Sequence, residues 1–405
     1  MSATIGAHAC DPCLRRGWLL RRLTGHLDCE RARIGELLVL DDEELLTAVA
    51  GAERDAVRAE LEALEPDVLR ADAVRAGLEV CCRCCQSWPA ALRGFDGAPA
   101  ALYVAGSPER LAALASGGDR SGVPVRGERR VALAGGDHSH VAMAGEGPDA
   151  GVHAEAVAIV GTRHASPHGL ELARALGRDL SVAGLTVVSG MALGIDAAAL
   201  TGALEGGGCP IAVLPAGAER AYPAAHRALY RRILASGGAA VSELPPGSAV
   251  RSWTFLARNR VIASLAAMTV VVEASADSGA LLTASWTLRL QRLLGAVPGR
   301  VGARQAEGPN ELLARGALVV RDARDVLERL LGPGAHALGC SPRRPLDPGQ
   351  ERVLAMIEEG LDTTAALVAA GVAPERALPL LAELELGGFV RRGAGGRFVT
   401  VRRSR

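Results

Sequence analysis

Residues 254–265 read TFLARNRVIASL, which sets Arg258, Asn259 and Arg260 into an otherwise apolar run, and no Asp or Glu lies between Arg251 and Val272. A guanidinium in low dielectric needs a partner, because an unpaired buried charge is costly. With no acid nearby in the chain, the chemistry that fits is capture of an external anion. Arginine's planar fork matches phosphate or carboxylate through paired hydrogen bonds. If the following residues continue a helix from Arg258, then Arg258 and Asn259 stand near its start, where unbonded amides pull the same way. The alternative is an internal salt bridge to Glu243 or Glu273.

Three other stretches pair a strand end with a tight turn and a helix. IVGTR sets Gly161, Thr162 and Arg163 where a backbone can approach an anion at a helix start. A packing glycine beside a surface arginine is the plain alternative. SGMALGID offers Ser189, Gly190 and Gly194 as a backbone nest for phosphate, with the serine hydroxyl as a further donor. Asp196 in that turn is expected to bond local amides rather than do chemistry. EASADSGALLTA repeats the design with Ser278 and Gly279 ahead of a helix carrying Thr283. The four stretches hold no Ser-His-Asp grouping, no pair of catalytic carboxylates and no metal-spaced His cluster. They predict anion binding without catalysis, and the lack of G-x-G-x-x-G predicts no dinucleotide cofactor.

Nine cysteines without a secretory leader argue against a disulfide framework. Cys10 with Cys13, and Cys82 with Cys85, form two C-x-x-C pairs holding the donors of a four-thiolate zinc site. The long gap between the pairs and the absence of a His in register favour reduced, partly buried thiols instead, so no metal is expected.

The elements that must position these residues follow from periodicity. The chain has 405 residues, 49% of them hydrophobic, which predicts two or three domains. No apolar stretch is long enough to span a bilayer, so a soluble cytoplasmic protein is expected. Formal net charge is zero, and all 45 basic residues are arginine. Residues 1–80 read as a small helical domain of the SAM or helix-hairpin-helix kind, and 81–116 as a connecting strand and turn segment. Residues 117–151, rich in Gly, Asp, Arg and His, predict a mobile insertion. Over 152–331, short apolar strands alternate with helices, the pattern of a doubly wound parallel sheet that binds ligands at its strand ends. Residues 332–344 form a linker. Residues 345–405 predict three helices and a hairpin, the order of a winged helix-turn-helix. Its third helix carries Glu375, Glu383 and Glu385, a poor face for a polyanion. Arg391, Arg392, Arg397, Arg402, Arg403 and Arg405 instead make a basic wing and terminus suited to backbone phosphate or a protein partner.

The ordered set resembles the DNA-processing protein A family (DprA, also called Smf). It comprises Val160-Gly161-Thr162-Arg163, residues 189–196, Tyr222-Pro223, residues 242–247 and residues 257–262. It continues through Val272-Glu273-Ala274, Ser278-Gly279, Val297-Pro298-Gly299, Gly308-Pro309-Asn310 and Gly316-Ala317. The resemblance implies an extended Rossmann-like domain binding single-stranded DNA in a basic pocket. It also implies loading of RecA recombinase onto that DNA, in natural transformation or related recombination, and a homodimer. Arg163, Arg258 and Arg260 would then meet phosphate, and Arg163→Ala and Arg258→Ala would weaken binding without unfolding the chain. Departures are Ala199-Leu200 in place of the usual A-H, Leu256 in place of proline, and Pro309 in place of serine. A competing expectation is a nucleotide phosphoribohydrolase on the same fold. Its P-G-G-x-G-T-x-x-E turn would fall on SADSGALLTA, which lacks the second glycine and the glutamate.

Overall fold

The computed structural model describes residues 9–114, 156–332, 347–386, 390–392 and 397–400. The expected insertion at 117–151, and all of the 332–344 linker except Gly332, lie outside the described residues. The chain divides into two units, Met1–Gly339 and Cys340–Arg405.

The first unit is built on one nine-stranded sheet. Its strands are β1 (Glu79–Cys82), β2 (Ala101–Gly106), β3 (Ala156–Val160), β4 (Thr186–Ser189), β5 (Ile211–Val213), β6 (Ala239–Ser242), β7 (Met268–Val271), β8 (Leu293–Ala296) and β9 (Leu318–Val319). Their order is β1-β2-β6-β5-β4-β3-β7-β8-β9. From β6 to β9 every pair is parallel, whereas β1–β2 and β2–β6 are antiparallel. Strand order therefore reverses between β3 and β7, with Val160 opposite Val271. That is the place where an open α/β sheet leaves a crevice for a ligand.

Burial follows the two-residue period of a strand. In β3, Val157 and Ile159 join a core with Leu176, Leu180 and Ile195, while Ala158 and Val160 join one with Val261, Ile262 and Leu265. Helices thus cover both faces, which is why the strands read as unbroken apolar runs.

The short helices between residues 11 and 75 share this unit. Leu19, Leu23, Leu27 and Leu45 form a third core with Leu244, Trp253 and Ala257. Trp253 is fully buried, and its Nε1 donates to Thr24 Oγ1 at 3.0 Å.

In the second unit, helices Pro348–Glu358, Thr364–Ala369 and Pro374–Leu386 precede an antiparallel hairpin of β10 (Val390–Arg392) and β11 (Phe398–Thr400). Val353, Leu367, Leu381, Leu384, Val390 and Phe398 make its core. Asp347 starts the first helix with a reciprocal cap, accepting from Gly349 and Gln350 amides. Among the described residues of the chain, no helix is long and apolar enough to cross a membrane.

Candidate functional site

The four stretches meet at the β3–β7 switch point through two backbone bonds and one side-chain bond. Thr162 N donates to Glu273 O at 2.6 Å, and Ile195 N donates to Thr162 O at 3.3 Å. Asn259 Nδ2 donates to Gly279 O at 3.1 Å, which ties in the fourth turn. Glycine is required at two of these crossings. A Cβ at Gly161 would lie 2.7 Å from Glu273 O, and one at Gly194, where φ is +81°, would lie 2.3 Å from Thr162 O.

The interior of this cluster supplies its own anions. Gly190 N and Ala192 N donate to Asp196 Oδ2 at 3.1 and 3.4 Å, so the expected phosphate nest holds an internal carboxylate. Ser189 is fully buried and its Oγ donates to Ile159 O at 2.6 Å, which removes it as a donor to ligand. The helix start after IVGTR is also filled. Ser166 caps Gly169 N, and Glu273 accepts from Ser166 N at 2.8 Å and Oγ at 2.5 Å.

The arginines of the 254–265 run are turned inward. Their helix begins at Ser252, six residues before the start expected from the apolar pattern, and Asp28 Oδ1 accepts from Trp253 N at 3.0 Å. Arg260, 1% exposed, donates through Nη2 to both Glu243 oxygens at 2.5 and 2.7 Å. The internal salt bridge, rather than an outside anion, is therefore the partner that the structure gives Arg260. Arg258 is 8% exposed, and its Nη1 donates to Gly190 O at 2.7 Å and Val213 O at 3.0 Å. Burial lowers its pKa, Asp196 opposes that shift, and the charge of Arg163 adds to it. Burial likewise raises the carboxyl of Asp196, against Arg258 and the amides of Ala192, Gly190 and Gly161. Arg258 thus braces the ends of β4 and β5. Asn259 is buried as well and serves the Gly279 turn.

What faces solvent is smaller and partly aromatic. Arg163 is exposed, and its guanidinium carbon lies 4.9 Å from the centroid of the Phe255 ring. Phe255 in turn packs against Tyr222 with centroids 5.7 Å apart. Among the described residues Arg163 has no carboxylate partner. Gly279 is exposed with open space where a Cβ would stand, and the neighbouring Ser278 caps Ala280 N at 3.3 Å. His226 lies close by in sequence to Tyr222, and its Nδ1 donates to Met191 O at 2.9 Å. A cation stacked on an aromatic face beside a second ring can bind a phosphate and stack a base at once. Phe255 and Tyr222 sit inside the motifs already quoted. Their signal was scarcity, since the chain has four Phe and three Tyr.

The structure also brings cysteines together. The sulfurs of Cys10, Cys13, Cys82 and Cys84 lie within 4.8 Å of one another, whereas the spacing pointed to Cys85 as the fourth. Sequence distance misled because the helix Pro66–Arg75 packs on Asp11–Arg22 and returns the chain to β1.

Comparison with known proteins bears on this arrangement. The family model for DNA recombination-mediator protein A matches residues 136–331. A putative DNA processing protein DprA of Mycobacterium tuberculosis CDC 1551 is 39% identical over 241 residues, 58% of this chain and 61% of that protein. The chain therefore spans less than two thirds of that relative's length. Protein Smf of Escherichia coli K12 is 36% identical over 269 residues, 64% of this chain and 71% of Smf. The X-ray structure of DNA processing protein A from Streptococcus pneumoniae shares the fold, with a TM-score of 0.55 and 24% identity over 78% of this chain and 95% of that one.

Proposed function

Because this chain belongs to the DNA recombination-mediator protein A (DprA/Smf) family, we propose that it binds single-stranded DNA across the strand ends of its sheet. In this reading it hands the strand to RecA recombinase in the cytoplasm and works as a homodimer. The observation that carries the reading is Arg163, exposed, without a carboxylate partner among the described residues and stacked over Phe255. Phosphate meets the guanidinium, and bases stack on Phe255 and Tyr222. Thr162, Ser278 and Gly279 line the approach, while Gly161, Ser189, Gly190, Gly194, Arg258, Asn259 and Arg260 hold the turns from inside.

A binder fits better than an enzyme. Asp196, Glu243 and Glu273, three acids packed beside the turns, are engaged by amides, Arg260 and Ser166, and Asp277, exposed in the fourth turn, lies 3.7 Å from Arg304. The C-terminal unit would serve as a winged helix whose basic hairpin adds sequence-independent contacts.

The test is a titration of the full chain with labelled single- and double-stranded oligonucleotides over a range of salt. Tighter binding to the single strand, falling linearly on a log–log plot with salt, is expected. Equal, salt-independent affinities would refute the reading. Release of free base from nucleoside monophosphates would favour the phosphoribohydrolase.

A further inference from the structure

The cysteine cluster has the shape of a metal site. Cys10 and Cys13 occupy the N-cap and the first turn of the helix Asp11–Arg22, three residues apart and so on one face. Cys82 ends β1, where it pairs with Ala101, and the ladder runs one bond further through Arg83 N to Ala100 O at 3.0 Å. The chain then turns, Cys85 N donating to Cys82 O at 2.8 Å. That turn sets Cys84 Sγ 4.0 Å from Cys13 Sγ, while Cys82 Sγ stands 3.9 Å from Cys10 Sγ.

We propose that Cys10, Cys13, Cys82 and Cys84 hold one structural zinc ion. A tetrahedral ion with Zn–S bonds of about 2.3 Å requires sulfurs about 3.8 Å apart, close to the two separations above. A disulfide would need about 2.05 Å, and the sulfurs are well beyond it. An iron–sulfur cluster spreads its thiolates over several irons and so holds them further apart than one ion does. Cys10 N also donates to Cys82 Sγ at 3.4 Å, the kind of amide bond that orients a metal-bound thiolate. Cys13 and Cys82 are buried whereas Cys84 is exposed, which leaves the ion a path of entry.

Binding balances as four thiols and Zn²⁺ giving a Zn(S-Cys)₄ dianion and four protons. All four positions belong to protein, so the site is closed and has no place for a reacting water. Its effect is a tie between segments 72 residues apart. It fastens the first helix to the strand that ends the sheet. Cys85, although 3.3 Å from Cys82, lies outside the four and is assigned no bond to the ion.

The test is metal content of the full chain purified without chelator. About one zinc per chain is expected, falling to none in Cys10→Ser, Cys13→Ser, Cys82→Ser and Cys84→Ser, and unchanged in Cys85→Ser and Cys29→Ser. X-ray absorption of the unsubstituted protein, which does not depend on the variants folding, should show four sulfurs at about 2.3 Å. Cobalt exchanged into it should give the strong visible bands of a tetrahedral thiolate site. Sub-stoichiometric zinc that added metal does not restore, iron with sulfide, or oxygen and nitrogen ligands would each overturn the proposal. Loss of metal in Cys85→Ser with retention in Cys84→Ser would overturn the ligand set.

Discussion

Gly190 and Arg258 occupy one space. A Cβ at position 190 would lie 1.6 Å from Arg258 Nη1, the same atom that bonds Gly190 O at 2.7 Å. The glycine of the SGMALGID turn is there to admit a guanidinium from this chain, not a phosphate from outside. Loss of either partner therefore disturbs the ends of β4 and β5 before it disturbs any ligand.

Arg258→Ala should lower stability by about 2–3 kcal/mol, since it leaves the buried carbonyls of Gly190 and Val213 without a charged donor. Gly190→Ala should cost about 1–3 kcal/mol by overpacking the same space. Urea midpoints measure both. Arg258→Ala with an unshifted midpoint and lost DNA binding would return this arginine to the surface.

Arg163→Ala should weaken single-strand binding at low salt and reduce the slope of log affinity against log salt by about 0.7, the share of one phosphate. Phe255→Ala should cost about 1–3 kcal/mol of affinity with the slope unchanged, because stacking releases no counterion. Anisotropy titrations at several salt concentrations separate the two. Identical slope changes in both variants would dismiss the division of labour.

Glu243→Ala should destabilise by about 3–5 kcal/mol, leaving Arg260 charged and buried without its carboxylate. Replacing both residues together, as Arg260→Met with Glu243→Leu, should recover most of that loss. Chemical denaturation of the single and double variants decides it. A double variant as unstable as the single would mean that the pair does more than neutralise itself.

Asp196 gives a pH test. Burial raises its carboxyl in the folded chain, so the folded state holds the proton more tightly than the unfolded one. Its contribution is fully present below the unfolded value and is lost as pH rises through the raised one. As pH rises above the unfolded carboxyl's value of about 4, the stability of the natural chain should therefore fall relative to Asp196→Asn. Parallel stability curves for the two proteins would contradict this.

The strands were legible because each is an apolar run buried on both faces, and the parallel sheet followed from their alternation with helices. Motif order pointed correctly to the family. The roles of the arginines were legible only in part: the salt bridge to Glu243 stood as the alternative, but absence of acid within one segment could not decide between it and an outside anion, nor foresee the carbonyls that Arg258 meets. Glu243 stands 17 residues from Arg260, and the carbonyl of Gly190 lies 68 residues from Arg258. The helix start misled for the same reason, the amide of Trp253 in its first turn being met by Asp28, 225 residues away in the chain. Cys84 was passed over because C-x-x-C spacing describes a chain at one place, whereas a metal site is closed by a turn and a helix meeting.

Strand β2 lies between β1 and β6, with Tyr103 opposite Ser242. Its second neighbour is thus made only after β3, β4 and β5 have been synthesised. Such a pairing spans much of the chain and closes late, because the loop entropy must be met before its contacts form. On the ribosome the β1–β2 hairpin therefore waits with one edge uncovered while the parallel strands emerge. An edge left open in this way is where a nascent chain is exposed to strand exchange with its neighbours.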